Sequence, residues 1–136
     1  SVLMKIFESA ENYLETIYML SLEKPYVRAI DIVNDLGFSK PSVSIAMKQF
    51  RENGYIEVDG DGFITLTEKG LEIALRMYER HEIIARILMA IGVSSEAAYT
   101  DSCKVEHHIS DETFECLKKE FKKLVAENRA EDVNKM

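Results

Sequence analysis

The sequence predicts a mainly α protein, in which an N-terminal winged helix-turn-helix with a small β-hairpin wing is followed by an all-helical domain. Three features of the chain support this. Two short amphipathic segments flank a turn of about four residues that contains Gly37, as a helix-turn-helix requires. Two β-rich runs joined by Asp-Gly pairs follow directly, and the remainder of the chain places its apolar residues at helical spacing.

Each element has its own signal. Over residues 6–22, Ile6, Ala10, Leu14 and Ile17 recur at helical spacing with Tyr13 and Leu20 widening the stripe, so a long first helix is expected to end before Lys24-Pro25. Ala29, Ile32, Val33 and Leu36 form a short second helix closed by Gly37. Ser39 is an N-cap, Pro41 fits a first turn, and Val43, Ala46, Met47 and Phe50 give the apolar face of a third helix stopped by Gly54. Tyr55–Val58 and Phe63–Leu66 read as a hairpin across Asp59-Gly60-Asp61-Gly62. A linking helix follows over about 67–91, ended by Gly92, which divides the chain into domains at 1–70 and 71–136. A further helix is expected from residue 95 to Ile109. Ser110-Asp111-Glu112 opens a last one with Phe114, Leu117, Phe121 and Leu124 on one face, and the polar segment from Glu127 is expected to fray.

Composition narrows the function classes. The chain has 136 residues, 46% of them hydrophobic, which suffices for one compact domain or two small ones. No window approaches the roughly 18 uninterrupted apolar residues of a membrane span, and no basic-apolar-small series marks a secretory signal, so a cytoplasmic protein without a membrane partner is expected. Two cysteines, Cys103 and Cys116, are too few for a disulfide scaffold.

The charge balance is acidic, with 17 Lys and Arg against 24 Asp and Glu and a net charge of −7. Residues 1–70 carry net −4 and residues 71–136 net −3, so neither half is a basic domain. Ser39 to Arg51 is the exception: Lys40, Lys48 and Arg51 stand there with no acid. The second helix of a helix-turn-helix enters the major groove, where short polar side chains reach base edges and flanking cations hold phosphates. Ser39, Lys40, Pro41, Ser42, Ser44, Lys48 and Gln49 are the candidate DNA-binding residues, and double-stranded operator DNA the expected partner. The bland alternative is a trihelical unit that merely packs or binds another protein.

Cys103, Glu106 and His107, at i, i+3 and i+4, would bring a sulfur, a carboxylate and an imidazole to one helix face. That donor mixture suits a divalent transition metal, since thiolate and imidazole disfavour magnesium and calcium. Against this stands an ordinary surface Glu-His pair beside a small core cysteine. His81, late in the linking helix, is a possible remote partner. In the first helix Glu8, Glu11 and Glu15 crowd like charges together, and Asn12 can offer a carbonyl oxygen beside Glu15. If Asn12, Glu15, His81, Cys103, Glu106 and His107 met, they would face one or two dications, and emptying the site would leave mutual repulsion.

The run Glu11-Asn12-Tyr13-Leu14-Glu15-Thr16-Ile17-Tyr18, then Arg80-His81-Glu82, then Cys103-Lys104-Val105-Glu106-His107-His108-Ile109-Ser110-Asp111-Glu112 resembles the diphtheria-toxin-repressor and manganese-transport-regulator family over nearly the whole chain. The resemblance implies a homodimeric, metal-activated transcriptional repressor that is not an enzyme and takes no small-molecule substrate. Its length matches the short two-domain layout of the manganese-type members. By the same resemblance, Glu106, His107 and His81 take ligand positions used across the family, and Glu15 matches a carboxylate of the manganese regulators. Cys103 is the residue expected of the iron type, and Asn12 replaces an Asp of one class and a Met of the other. Tyr99 and Ala85 stand where iron-type members hold ancillary ligands, and His108 gets no ligand role. The softness of Cys103 favours Fe(II), with Mn(II) a close second and Zn, Co or Ni accessible in vitro.

Two other classes compete. A winged-helix regulator of MarR-like type would respond to a small ligand or to oxidation of Cys103. A zinc hydrolase would use the same donors, but it lacks H-E-x-x-H, a nucleophile elbow and a phosphate loop, and leaves the winged helix unexplained.

Overall fold

The computed structural model describes residues 8–134, with side chains to residue 128. Residues 6 and 7 of the expected first helix lie outside this range. The elements run α1 (Glu8–Glu23), α2 (Ala29–Leu36), α3 (Lys40–Glu52), β1 (Ile56–Val58), β2 (Ile64–Leu66), α4 (Glu68–Ala90), α5 (Ser95–Val105) and α6 (Asp111–Asn134). The chain forms two compact units, Ser1–Tyr78 and Glu79–Met136.

In the first unit the stripes predicted from spacing are the faces that pack. Leu14, Ile17, Ile32, Val43 and Ile56 lose nearly all solvent contact, and Tyr13, Leu20, Val27, Met47, Phe50, Tyr55, Ile64 and Ala74 complete a single core. Helix α2 closes on Gly37, whose φ of 72° takes the left-handed conformation that spares a Cβ penalty, and its N–H reaches Val33 O. At the other end of α2 the Asp31 carboxylate accepts from the Arg28 backbone and from Lys24. The Lys24 hydrogen bond, and then that from Arg28, hold its pKa below the usual carboxylate value. Ser39 caps α3 by accepting from Ser42 N at 3.2 Å, a contact worth about 1 kcal/mol.

The strands pair antiparallel with Ile56 opposite Leu66 and Val58 opposite Ile64. Asp59 shapes the turn: its Oδ1 accepts from the backbone of both Asp61 and Phe63, at 2.9 Å each. Tyr26 stacks on Phe63 at 4.4 Å and the Arg28 guanidinium lies 4.5 Å from the same ring, so the wing is braced from the loop before α2. Gly70 sits in the first turns of α4, where a Cβ would fall 2.1 Å from the Tyr55 carbonyl oxygen. Only glycine lets α4 start this close to the wing.

The second unit is the C-terminal part of α4 with α5 and α6. Ile84, Ala85, Ala98 and Phe114 are its buried apolar residues, joined by the buried polar residues Arg80, His81, Ser102 and Glu106. Gly92, at φ 105°, turns the chain out of α4, and Ser94 caps α5 by accepting from Ala97 N.

Two expectations are corrected here. The helix expected to reach Ile109 ends at Val105, because Arg80 Nη1 donates to the carbonyls of Glu106 (3.0 Å) and Ile109 (2.9 Å). Those acceptors are thereby satisfied without further helix. The segment from Glu127 does not leave the helix: α6 continues to Asn134. No glycine or proline follows Gly92, so no residue in this part of the chain forces the helix to stop.

Candidate metal centre

The second unit brings four of the predicted ligands together. His81 is carried by α4 one residue after Arg80, and its backbone carbonyl accepts from the buried Ser102 hydroxyl at 2.5 Å, which ties α4 to α5. Cys103 follows Ser102, and its Sγ lies 3.3 Å from His81 Nδ1. Glu106 caps the end of α5 and His107 sits in the turn beyond it. The face therefore arises at a helix terminus and not on a continuous helix.

Glu106 is the centre of the cluster. It is 0% exposed, with Oε2 3.2 Å from His81 Nδ1 and Oε1 3.3 Å from His107 Nε2. Despite these distances, neither oxygen has a donor in hydrogen-bonding geometry. A buried carboxylate in that condition is costly unless a cation compensates it. The Cys103 thiol, and then the Glu106 carboxylate, push the His81 pKa up to about 10, so that a proton on the imidazole meets part of this demand in the metal-free protein. An imidazolium-carboxylate pair alone would account for His81 and Glu106 but not for the second imidazole and the thiol. One sulfur, two nitrogens and a carboxylate fit a divalent first-row transition ion. Cys103 is exposed, which leaves this flank open to solvent.

Asn12 and Glu15 belong to the first unit, on α1, where Asn12 is half-buried and Glu15 buried. The acidic face they share is not uniform: Glu11 lies 3.8 Å from Arg76, while Glu8 is exposed. At the two positions considered for ancillary ligands, the Tyr99 hydroxyl donates to Glu82 at 3.2 Å and Ala85 is fully buried. His108 is exposed.

Reading from composition and spacing missed Arg80 as a functional part. Its guanidinium, 4% exposed, holds the Glu106 and Ile109 carbonyls, pairs with Asp111 and lies 5.1 Å from the Phe114 ring. It thereby fixes the turn that carries Glu106 and His107, two of the ligands expected from the sequence. No periodicity announces such a contact, because its hydrogen-bond partners lie 26 to 31 residues away and the Phe114 ring further still.

All seven DNA-binding candidates are exposed on or beside α3. Ser39 has a second task as the helix cap, and its hydroxyl donates to that of Ser42 at 2.8 Å. Among the described residues no helix is long and apolar enough to cross a membrane.

Known proteins are similar to this chain. Residues 5–63 match the iron dependent repressor N-terminal DNA binding domain, and residues 67–129 the iron dependent repressor metal binding and dimerisation domain. The HTH-type transcriptional regulator MntR of Lysinibacillus sphaericus (strain C3-41) is 35% identical over 102 residues, 75% of this chain and 73% of that protein. Its namesake in Bacillus subtilis (strain 168) is 37% identical over 102 residues, covering 75% and 72%. Among solved structures, that of the manganese regulator SloR is similar with a TM-score of 0.70 and 28% identity over 80% of this chain; this chain covers 51% of that one, about half its length. These likenesses favour a metal-responsive regulator over the MarR-like class. With both halves matched in order and relatives above 30% identity spanning most of their own length, the chain belongs to the iron-dependent repressor family of metal-dependent transcriptional regulators, whose members are not enzymes.

Proposed function

We propose that this chain is a cytoplasmic repressor that binds operator DNA as a homodimer when a divalent transition metal is held by His81, Cys103, Glu106 and His107 together with Asn12 and Glu15 of α1. The single observation that carries the reading is Glu106, a fully buried carboxylate with imidazole nitrogens close to both oxygens and hydrogen bonds to neither. When bound, the ion supplies the positive charge that the carboxylates and thiolate lack. Glu106 and His107 present donors from the end of α5, His81 from α4, and Cys103 from the open rim. Asn12 and Glu15, on the helix that packs against α2, are the donors proposed from the winged helix. Loading then biases the dimer towards the spacing of its two α3 helices that fits two half-sites.

Fe(II) is the favoured ion, because a thiol among the donors shifts preference towards softer metals. Mn(II) is the second reading, favoured by the relatives named for manganese. The test is an anaerobic titration with Fe(II) and Mn(II) in parallel, read out as binding to a duplex selected from a random-sequence pool. Glu106→Ala and His107→Ala are expected to abolish metal-stimulated binding with the circular dichroism spectrum unchanged. Stimulation that survives both substitutions rejects the centre. Cys103→Glu is expected to move the preference towards Mn(II), and an unchanged ratio rejects the role given to sulfur.

A further inference from the structure

Helix α3 carries an apolar residue that the core does not use. Val43, Met47 and Phe50 are its buried residues, at 0%, 6% and 8% exposure, whereas Ile45 is 60% exposed. Its helical neighbours three and four residues away are Pro41, Ser42, Lys48 and Gln49, all of them exposed. Ser42, Ile45 and Gln49 form the α3 side of an open groove whose other side is Ser9, Ala10 and Tyr13 of α1. Ile45 is thus a single branched hydrocarbon in the middle of the face given above to DNA, flanked by the cations Lys40, Lys48 and Arg51 with no acid between Ser39 and Arg51.

The major groove holds a partner for such a group. Most of its base-edge atoms are hydrogen-bond donors and acceptors, which an isoleucine would desolvate without return. The C5-methyl of thymine is the apolar exception. Because the flanking lysines and Arg51 would engage phosphates and carry no sequence information, an apolar side chain between them contributes only where a methyl group faces it. Resting on the DNA-binding reading above, we propose that Ile45 reads the C5-methyl group of a thymine in each half-site and so sets operator specificity.

The test uses the full chain loaded anaerobically with Mn(II) and a duplex selected from a random pool by the unmodified protein. Each thymine of the half-site is replaced in turn by deoxyuridine, which removes only the methyl group. One position per half-site is expected to cost about fourfold in affinity, the worth of one buried methyl group. Ile45→Ser is expected to bind the thymine duplex more weakly by about fourfold for each half-site, about 16-fold for the dimer, and to be indifferent to deoxyuridine at that position. Because Ile45 is exposed, this variant keeps its core. Lys48→Ala serves as the contrast: it weakens all duplexes alike and lowers the salt dependence. If no deoxyuridine position matters, or if Ile45→Ser keeps the full deoxyuridine penalty, or if the substitution acts only by changing the oligomeric state, the assignment of Ile45 is overturned while DNA binding stands. If the unmodified protein selects no duplex at all, the DNA-binding reading falls first.

Discussion

At the scale of single residues the protein turns on a carboxylate and an imidazole. Glu106 is wholly buried and His81 nearly so, at 6% exposure, yet they meet without a normal hydrogen bond. The Cys103 thiol and the Glu106 carboxylate raise the His81 pKa from 6.5 to about 10 in the metal-free protein. A group whose folded pKa is raised contributes stability that is fully present below its unfolded pKa and is lost as pH rises through the folded value. Metal-free protein is therefore expected to lose thermal stability between about pH 6.5 and about pH 10. Metal-loaded protein, in which the imidazole no longer needs its proton, is expected to change less over the same window. In the proposed centre His81 gives up that proton to bind the ion, so the metal affinity is expected to rise with pH and protons to be released on binding. Calorimetric titration at pH 7.5 in buffers of different ionisation enthalpy measures the release directly, and a heat independent of the buffer contradicts it.

Among the elements, the decisive feature is where α5 stops. A continuous helix through Ile109 would hold Cys103, Glu106 and His107 by helical spacing alone. Instead, Arg80 takes the Glu106 and Ile109 carbonyls, ends the helix at Val105 and leaves Glu106 and His107 on a braced turn. Arg80 is a positioning residue, and groups that orient ligands are worth 10- to 100-fold in metal affinity. Arg80→Leu is expected to weaken metal binding by roughly tenfold, while Asp111→Asn, which leaves the backbone carbonyl contacts in place, is expected to change it little. Parallel metal titrations monitored by competition with a chelating dye compare the two. Equal effects would show that the ion pair matters and the carbonyl contacts do not.

At the scale of the whole molecule, the net charge of −7 works against DNA binding, and the acid-free window from Ser39 to Arg51 offers three cations against it. A homodimer presents this window twice, so about six phosphates are engaged and the logarithm of the binding constant should fall with that of salt at a slope near −5. Anisotropy titrations from low to physiological salt check this. A slope near −10 would mean that cations outside α3 contribute as much, with Arg28 beside the wing the first to examine. Because the net charge is −7, the metal-free protein is expected to stay weakly bound even when salt is lowered.

Much of this was legible in the chain. The apolar stripes of α1, α2 and α3, the Ser39 cap, the glycine stops at Gly37, Gly54 and Gly92 and the Asp-Gly hairpin are local signals, set by a residue's own preferences and its neighbours within one or two turns. The donor types at residues 81, 103, 106 and 107 were readable for the same reason, since each follows from the residue itself. What only tertiary structure decided depends on groups far apart in sequence. Arg80 overrules the helical pattern after Val105, Tyr55 demands a glycine at position 70, and the burial of Glu106 leaves its oxygens without hydrogen bonds. Periodicity reports which face of an element is apolar. It does not report which distant carbonyl, ring or carboxylate that face will meet, and the chemistry of the centre is made by those meetings.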